Sequence, residues 1–218
     1  MKNLFKDNII FIIPYLSILL ISSACLLFFS KTDIHIFINS RHILFFDFLF
    51  KYWTWLGDGI FAAVFTVVLL FIKYRWALIS AVSLIITSLV VQILKHTVYS
   101  GSLRPVMFFQ EHYKGNYQLY IIKGAEPANF FSFPSGHTAA AFAIFFLSAV
   151  IVKNKFLKFI FLIIALLVGY SRIYLSWHFL GDTLAGSITG IIITAICYLF
   201  INEYKNKYLD NSLLKNKK

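Results

Sequence analysis

The sequence predicts an all-α membrane protein of six transmembrane helices, and three observations predict it. Of the 218 residues, 60% are hydrophobic and only 13% are charged, about half the charged share of soluble domains. Mean hydropathy is +0.78, and several apolar runs approach the roughly 20 residues that cross a bilayer. Those runs are continuous rather than alternating. This selects helices over a barrel, the only other fold that pairs its own backbone within lipid.

The predicted spans are Ile9–Phe29, Asp58–Ile72, Trp76–Leu94, Thr138–Val152, Phe156–Ile173 and Phe179–Ile201. The first contains "SSAC" ending at Cys25, which faintly resembles a lipoprotein cleavage site. The apolar run continues through Phe29, however, so a retained helix is expected. The segment Lys31–Gly57 mixes polar residues with Phe45, Phe46, Phe48, Phe50, Trp53 and Trp55, which suits an interfacial helix. Spans two and three are joined by Lys73–Arg75, and spans four and five by Lys153–Lys155. The one long polar stretch is His96–His137, carrying Pro105, Gly115, Gly124 and Pro127, and it reads as a loop. No repeat or low-complexity tract interrupts the chain, so residues 1–218 read as one domain. Cys25 and Cys197 both sit in apolar runs and form no disulfide framework.

A formal charge of +11 in a soluble protein would suggest nucleic acid. Here it sorts by side of the membrane instead, and no nucleic-acid partner is expected. One side carries Lys2, Lys6, Lys73, Arg75, Lys153, Lys155, Lys158, Lys205, Lys207, Lys215, Lys217 and Lys218. The other carries Lys31, Arg41, Lys51, Lys95, Arg104, Lys114, Lys123 and Arg172, spread over much longer loops. Short basic loops belong in the cytoplasm. Both termini are therefore expected there, with the long loop facing outward. Size and simplicity suggest a bacterial cytoplasmic membrane.

Three polar clusters then fall at the outer helix ends. Lys95 closes span three with Arg104-Pro105 beyond it, Ser135-Gly136-His137 opens span four, and Ser171-Arg172 closes span five before His178 and Asp182 open span six. Each has a plain structural use. Lys95 and Arg172 could be snorkelling anchors, Ser135 an N-cap, and His178 with Asp182 an i, i+4 hydrogen bond. Together they suit phosphoryl transfer. Arg and Lys match phosphate oxygens, and a Ser-Gly helix start offers N–H groups and the positive dipole end to an anion. Asp182 would hold one nitrogen of His178 as N–H and free the other to attack phosphorus. A second histidine, His137, could protonate the leaving oxygen. Metal binding is the competing use of His137, His178 and Asp182, but three nearby cations would oppose a dication, so no metal or cofactor is expected. His35, His42, His96 and His112 fall in outer segments and read as interfacial or solvated.

"PSGH" at 134–137 and "SRIYLSWHFLGD" at 171–182 resemble the second and third signatures of the type 2 phosphatidic acid phosphatase (PAP2) superfamily. The third matches Ser-Arg-x5-His-x3-Asp residue for residue. The resemblance runs from Lys95 to the end of span six, about half of the chain. The first signature departs in spacing: Lys95 and Arg104 are separated by the eight residues "HTVYSGSL" rather than six. The resemblance implies metal-independent hydrolysis of lipid phosphates through a phosphohistidine. It makes His178 the nucleophile, Asp182 its orienter and His137 the acid, with Lys95, Arg104, Ser135, Gly136 and Arg172 holding phosphate. The active site would lie at the outer interface. Polyprenyl diphosphate, lipid A phosphate, phosphatidylglycerol phosphate and phosphatidic acid are all substrate classes of such a family. The loop Val106–Phe133, with Tyr113, Tyr117 and Tyr120, is expected to contribute to the choice. The rival class is a transporter or a non-catalytic lipid-phosphate-binding protein. Transporter sites sit at the bilayer midplane, whereas every candidate here sits at one end.

Overall fold

The computed structural model describes residues 4–114 and 117–214. Lys2, Gly115, Lys215, Lys217 and Lys218, which enter the readings above, lie outside the described residues. The helices are α1 (Leu4–Asp7), α2 (Ile9–Phe28), α3 (Lys31–Asn39), α4 (Leu44–Trp53), α5 (Gly59–Ile72), α6 (Tyr74–His96), α7 (Pro105–Tyr113), α8 (Gly136–Ile151), α9 (Lys155–Tyr174) and α10 (Leu180–Glu203). A 3₁₀ turn, Thr54–Gly57, joins α4 to α5, and another, Lys207–Asp210, follows α10.

Local chemistry sets several of these boundaries. Ser30 accepts from the Asp33 N–H at the start of α3, and Asp58 accepts from the Ile60 N–H at the start of α5. Asn154 accepts from both Phe156 and Leu157 at the start of α9. Such caps satisfy donors that a helix start leaves over. Lys73, in extended backbone, ends α5 and begins α6.

Among the described residues, four helices are long and apolar enough to cross a membrane: α2, α6, α9 and α10. A fifth crossing results if α4 with its 3₁₀ turn and α5 count as one span bent by 55°. The expected second span is thus the 14-residue α5, and the expected fourth is the 16-residue α8. The Lys31–Gly57 segment is not one interfacial helix but two helices and a turn, and its second helix forms one arm of the bent pair. The long polar stretch also contains α7, whose first residue is Pro105. Proline is favoured there because its missing N–H is one a helix start cannot use.

The short α8 is the hub. It packs most extensively against α10 and α9, and then α6. Nearly every residue from Thr138 to Val150 is buried, as an apolar-all-round helix requires. Glycine makes the α8–α10 approach possible: a Cβ on Gly186 would strike the Ser135 carbonyl, and one on Gly190 the Ala139 carbonyl. Small residues at such crossings let backbones touch where lipid supplies no hydrophobic drive. The outward surfaces are correspondingly apolar, as at Leu27, Phe28 and Phe200.

The basic turns gather at one end. The buried guanidinium of Arg75 donates to the carbonyls of Ile201, Tyr204 and Asn206 and to Asp210. Lys158 reaches the Asn8 side chain and the Ala149 carbonyl. The ends of α6 and α9 and the starts of α8 and α10 lie at the other end, called here the site end.

Candidate active site

The turn between α9 and α10 is built by Arg172. Its carbonyl accepts from the N–H groups of both Trp177 (3.0 Å) and His178 (3.1 Å), folding the chain back on itself. Ser176 closes the turn at φ +56°. The chain then enters α10, where Asp182 occupies the third helical position. One oxygen of that carboxylate, Oδ2, accepts from the Phe179 N–H at 3.0 Å and from Ser132 Oγ at 2.5 Å. It also lies 3.4 Å from His178 Nδ1. One oxygen therefore caps the helix, ties down the α8 approach and orients the histidine.

His178 is almost fully buried. Burial pushes its imidazole down to about 3, against the Asp182 hydrogen bond that favours the charged form. The ring is thus neutral near pH 7. With Nδ1 facing the carboxylate, the proton belongs there and Nε2 keeps its lone pair. That is the protonation state a nucleophile needs.

α8 starts directly against this turn. The Ser135 N–H donates to the Asp182 carbonyl at 3.0 Å, and Thr138 Oγ1 donates to Ser135 Oγ at 2.9 Å. Ser135 is the N-cap residue as expected, but its hydroxyl makes no cap bond. The N–H groups of Gly136 and His137 lie in the first turn, where no intrahelical partner exists and the helix dipole is positive. A Cβ at Gly136 would meet only Val91 at ordinary contact distance, so bulk alone does not demand glycine there. Gly57 is different, because a Cβ on it would run into the His137 carbonyl.

The cations line the same space. Arg172 is buried, lies 4.0 Å over the Trp177 ring and donates to Thr54 Oγ1 at 2.7 Å. Its Nε has no partner among the described residues. An unused, fixed guanidinium N–H in a buried site is a donor waiting for an acceptor. Arg104 is held by the Phe130 carbonyl at 3.0 Å from Nε, and its own N–H donates to Asn129. Lys95 is buried in the last turn of α6, where the charges of Arg104, Arg172 and Asp182 all reach it. The eight intervening residues are taken up by a turn: Ser102 N–H donates to the Tyr99 carbonyl across Ser100 and Gly101. Ser102 then accepts from Ser132 and Phe133, docking the Arg104 loop onto the approach to α8.

All eight sequence-predicted residues therefore meet at one end. His137 differs from His178 in being partly exposed, with Nε2 at 3.7 Å from Asp58 Oδ2. It borders a cavity of about 650 Å³ between α5, α6 and α8. Asp58, Thr54 and Ser132 were not anticipated as site neighbours. Ser132 lies two residues before "PSGH", and Asp58 carries an N-cap signal before an apolar run, but neither signal names its partner across the bundle.

The expectation that the remaining histidines are interfacial or solvated fails for two of them. His35 is buried, with Nε2 at 3.1 Å from Ser176 Oγ. His42 Nδ1 pairs with Asp47 at 2.7 Å, and Asp47 also accepts from Tyr174 and Tyr120. His35 meets a partner 141 positions away, and the tyrosines that join Asp47 to His42 also come from distant segments, so no local pattern exposes either setting. His96 and His112 are more exposed; His112 stacks on Phe108, and the His96 ring lies tilted against Phe131.

Comparison with known proteins bears on the family and the fold. Residues 76–205 match the PAP2 superfamily. A lipid A 4'-phosphatase of Porphyromonas gingivalis is 30% identical over 38% of this chain and 35% of its own length. The stretches shared with curated relatives span only about a third of those relatives' lengths. The crystal structure of Aquifex aeolicus LpxE superposes with a TM-score of 0.68 at 24% identity, covering 77% of this chain and 94% of that one. That of a Bacillus subtilis PAP2-type phosphatidylglycerolphosphate phosphatase gives 0.65 at 22%, covering 92% and 98%. At those identities the likeness is one of fold.

Proposed function

The chain belongs to the PAP2 superfamily, and from that premise we propose that it is a lipid phosphate phosphohydrolase working through a phosphohistidine. The observation that carries this reading is the pairing of a buried, neutral His178, held at Nδ1 by Asp182, with the unpartnered Nε of Arg172 in the same site. A nucleophile and an oxyanion donor are both in place before any substrate arrives.

In the proposed reaction the phosphate sits among Lys95, Arg104, Arg172 and the first turn of α8 at Ser135 and Gly136. His178 Nε2 attacks phosphorus and the bond from phosphorus to the lipid oxygen breaks. His137 gives its proton to that oxygen, which leaves as the lipid alcohol, or as the lipid monophosphate when the substrate is a diphosphate. Water then attacks the phosphohistidine, His137 takes the water's proton, and inorganic phosphate departs with His178 restored. Asp182 keeps the ring oriented and stabilises its charge as the bond forms.

The rest of the reading concerns placement. Six crossings, with α5 and α8 as short spans, put both termini in the cytoplasm and the site at the outer interface of a bacterial cytoplasmic membrane. The basic turns at the opposite end support this. Substrates that such a site suits include polyprenyl diphosphate, lipid A phosphate, phosphatidylglycerol phosphate and phosphatidic acid.

The test is phosphate release from that panel by purified protein in the presence of chelator. Release by wild type and none by His178→Ala supports the reading. Tight binding without release would make the protein a lipid-phosphate binder or transporter instead.

A further inference from the structure

Arg172 is a buried cation with little to hold it. Charges inside a protein are ordinarily paired. Among the described residues, however, its guanidinium forms no ion pair and makes one hydrogen bond, to Thr54 Oγ1. Beside it lies the indole of Trp177, whose centroid is 4.0 Å from the guanidinium carbon. The same indole meets the His137 ring edge to face with centroids 6.4 Å apart, inside the usual range for such pairs. Its Nε1 donates to the Ala125 carbonyl at 2.6 Å. That carbonyl is placed by a tight turn, in which the Ala125 N–H donates to the Ile122 carbonyl at 3.0 Å and Gly124 takes φ +74°. Left-handed backbone at the third position of a turn favours glycine. Glu126 accepts from the Gly124 N–H, and Lys51 of α4 donates to the Lys123 carbonyl.

From this we infer that Trp177 is a positioning residue: fixed by the Ala125 carbonyl, its indole aims the Arg172 guanidinium and backs the His137 ring. The inference rests on the phosphatase reading. Attraction between a cation and an aromatic face is strongest where water is excluded, as it is around Arg172. The ring and Thr54 hold the guanidinium from two sides and leave Nε, which has no partner among the described residues, for the phosphate. Because one ring touches both Arg172 and His137, a tilt of the indole displaces the phosphate grip and the acid together. The turn at residues 122–125 thereby acts on the reaction through Trp177, with no contact to substrate of its own.

The experiment measures phosphate release from the best substrate of the panel above, and its inhibition by inorganic phosphate, in wild type, Trp177→Phe, Trp177→Leu and Gly124→Ala. Trp177→Leu removes the ring face and should lower kcat/KM by about tenfold. The inhibition constant for inorganic phosphate should rise by a similar factor, because Arg172 grips the phosphate and not the lipid. Trp177→Phe keeps a face without the N–H and should lose about threefold. Gly124→Ala, strained at that φ, should cost about threefold by moving the carbonyl, and nothing further when combined with Trp177→Leu. A ring that only filled space would, when cut back, lower the melting temperature and kcat and leave phosphate inhibition unchanged. That result, equal losses for Trp177→Phe and Trp177→Leu, or a Gly124→Ala loss that persists in full in the double variant would each overturn the inference and leave the phosphatase reading standing. If Trp177→Leu does not fold, Trp177→Phe decides: a raised phosphate inhibition constant supports the inference and an unchanged one overturns it. No release by wild type would remove both.

Discussion

Asn39 and Ser176, 137 positions apart, meet where the Asn39 carboxamide donates to the Ser176 hydroxyl at 3.1 Å. The same amide group donates to the Tyr120 carbonyl at 3.0 Å, and its oxygen accepts from the Tyr120 N–H at 2.9 Å. His35 approaches the Ser176 hydroxyl from another side. One buried side chain therefore fastens the loop at Tyr120 to the turn that carries His178, two residues beyond Ser176.

Asn39 is on this account a positioning residue. Asn39→Ala should lower kcat by about tenfold or more with a smaller change in KM, because displacement of a catalytic group costs rate steeply. Ser176 gives a sharper comparison, since a side chain at positive φ costs about 1–2 kcal/mol relative to glycine. Ser176→Ala loses the hydroxyl and keeps the strain, whereas Ser176→Gly loses the hydroxyl and sheds the strain. Thermal stability should therefore fall further for Ser176→Ala than for Ser176→Gly. Equal melting temperatures for the two variants would show that the φ at Ser176 carries no cost.

The division of labour between histidines is tested separately. His178→Ala should abolish turnover, while His137→Ala should cost roughly 10²–10⁴-fold, the usual range for losing a general acid. Ser132→Ala removes the shortest bond to the Asp182 oxygen that faces His178, and should reduce kcat by about tenfold through misorientation. Because burial holds His178 down to about 3, its ring stays neutral between about pH 5 and 8. An acid limb in kcat/KM within that window would then belong to another group. Full activity in a folded His178→Ala protein would remove it as nucleophile.

Phosphate grip separates the cations. Arg104→Ala and Arg172→Ala should each lower kcat/KM by at least tenfold, as expected of charge-assisted bonds worth about 1.5–3 kcal/mol. Arg172→Lys should not rescue, because an ammonium cannot both lie flat on Trp177 and reach Thr54. A silent Lys95→Ala beside a damaging Arg104→Ala would mean that the first signature has been misaligned.

Much of this site was legible because its chemistry is local. The Arg172, His178 and Asp182 spacing and the Pro134–His137 helix start are properties of short stretches, and the polar residues stand out against an apolar background. The contacts that hold those stretches together are not local. Thr54 reaches Arg172 across 118 positions and Ser132 reaches Asp182 across 50, so no window contains both partners. The Lys31–Gly57 segment misled for another reason. His42, Asp47 and Lys51 interrupt its hydropathy, and only the pairing of Asp47 with His42, Tyr120 and Tyr174 explains how that carboxylate is buried. The start of α7 at Pro105 was readable from proline's preference for a first helical turn.

The remaining prediction is sidedness, on which the outer-leaflet substrate depends. The geometry gathers Lys95, Arg104, His137 and His178 at one end, and Lys73, Arg75, Lys158 and Asp210 at the other. Which end faces out rests on the lysine and arginine asymmetry, and that rule weighs short loops near the spans most heavily. The two ends are separated by about 30 Å of hydrocarbon, so a membrane-impermeant thiol reagent distinguishes them cleanly. On a background lacking Cys25 and Cys197, a cysteine at exposed Lys123 should label in intact cells, and one at exposed Lys207 only after lysis. The reverse pattern would turn the protein over in the membrane. His178, Asp182 and Arg172 would keep their geometry and their chemistry in that case. The substrate would then have to be drawn from the cytoplasmic leaflet, and the proposed role at the outer face would fall.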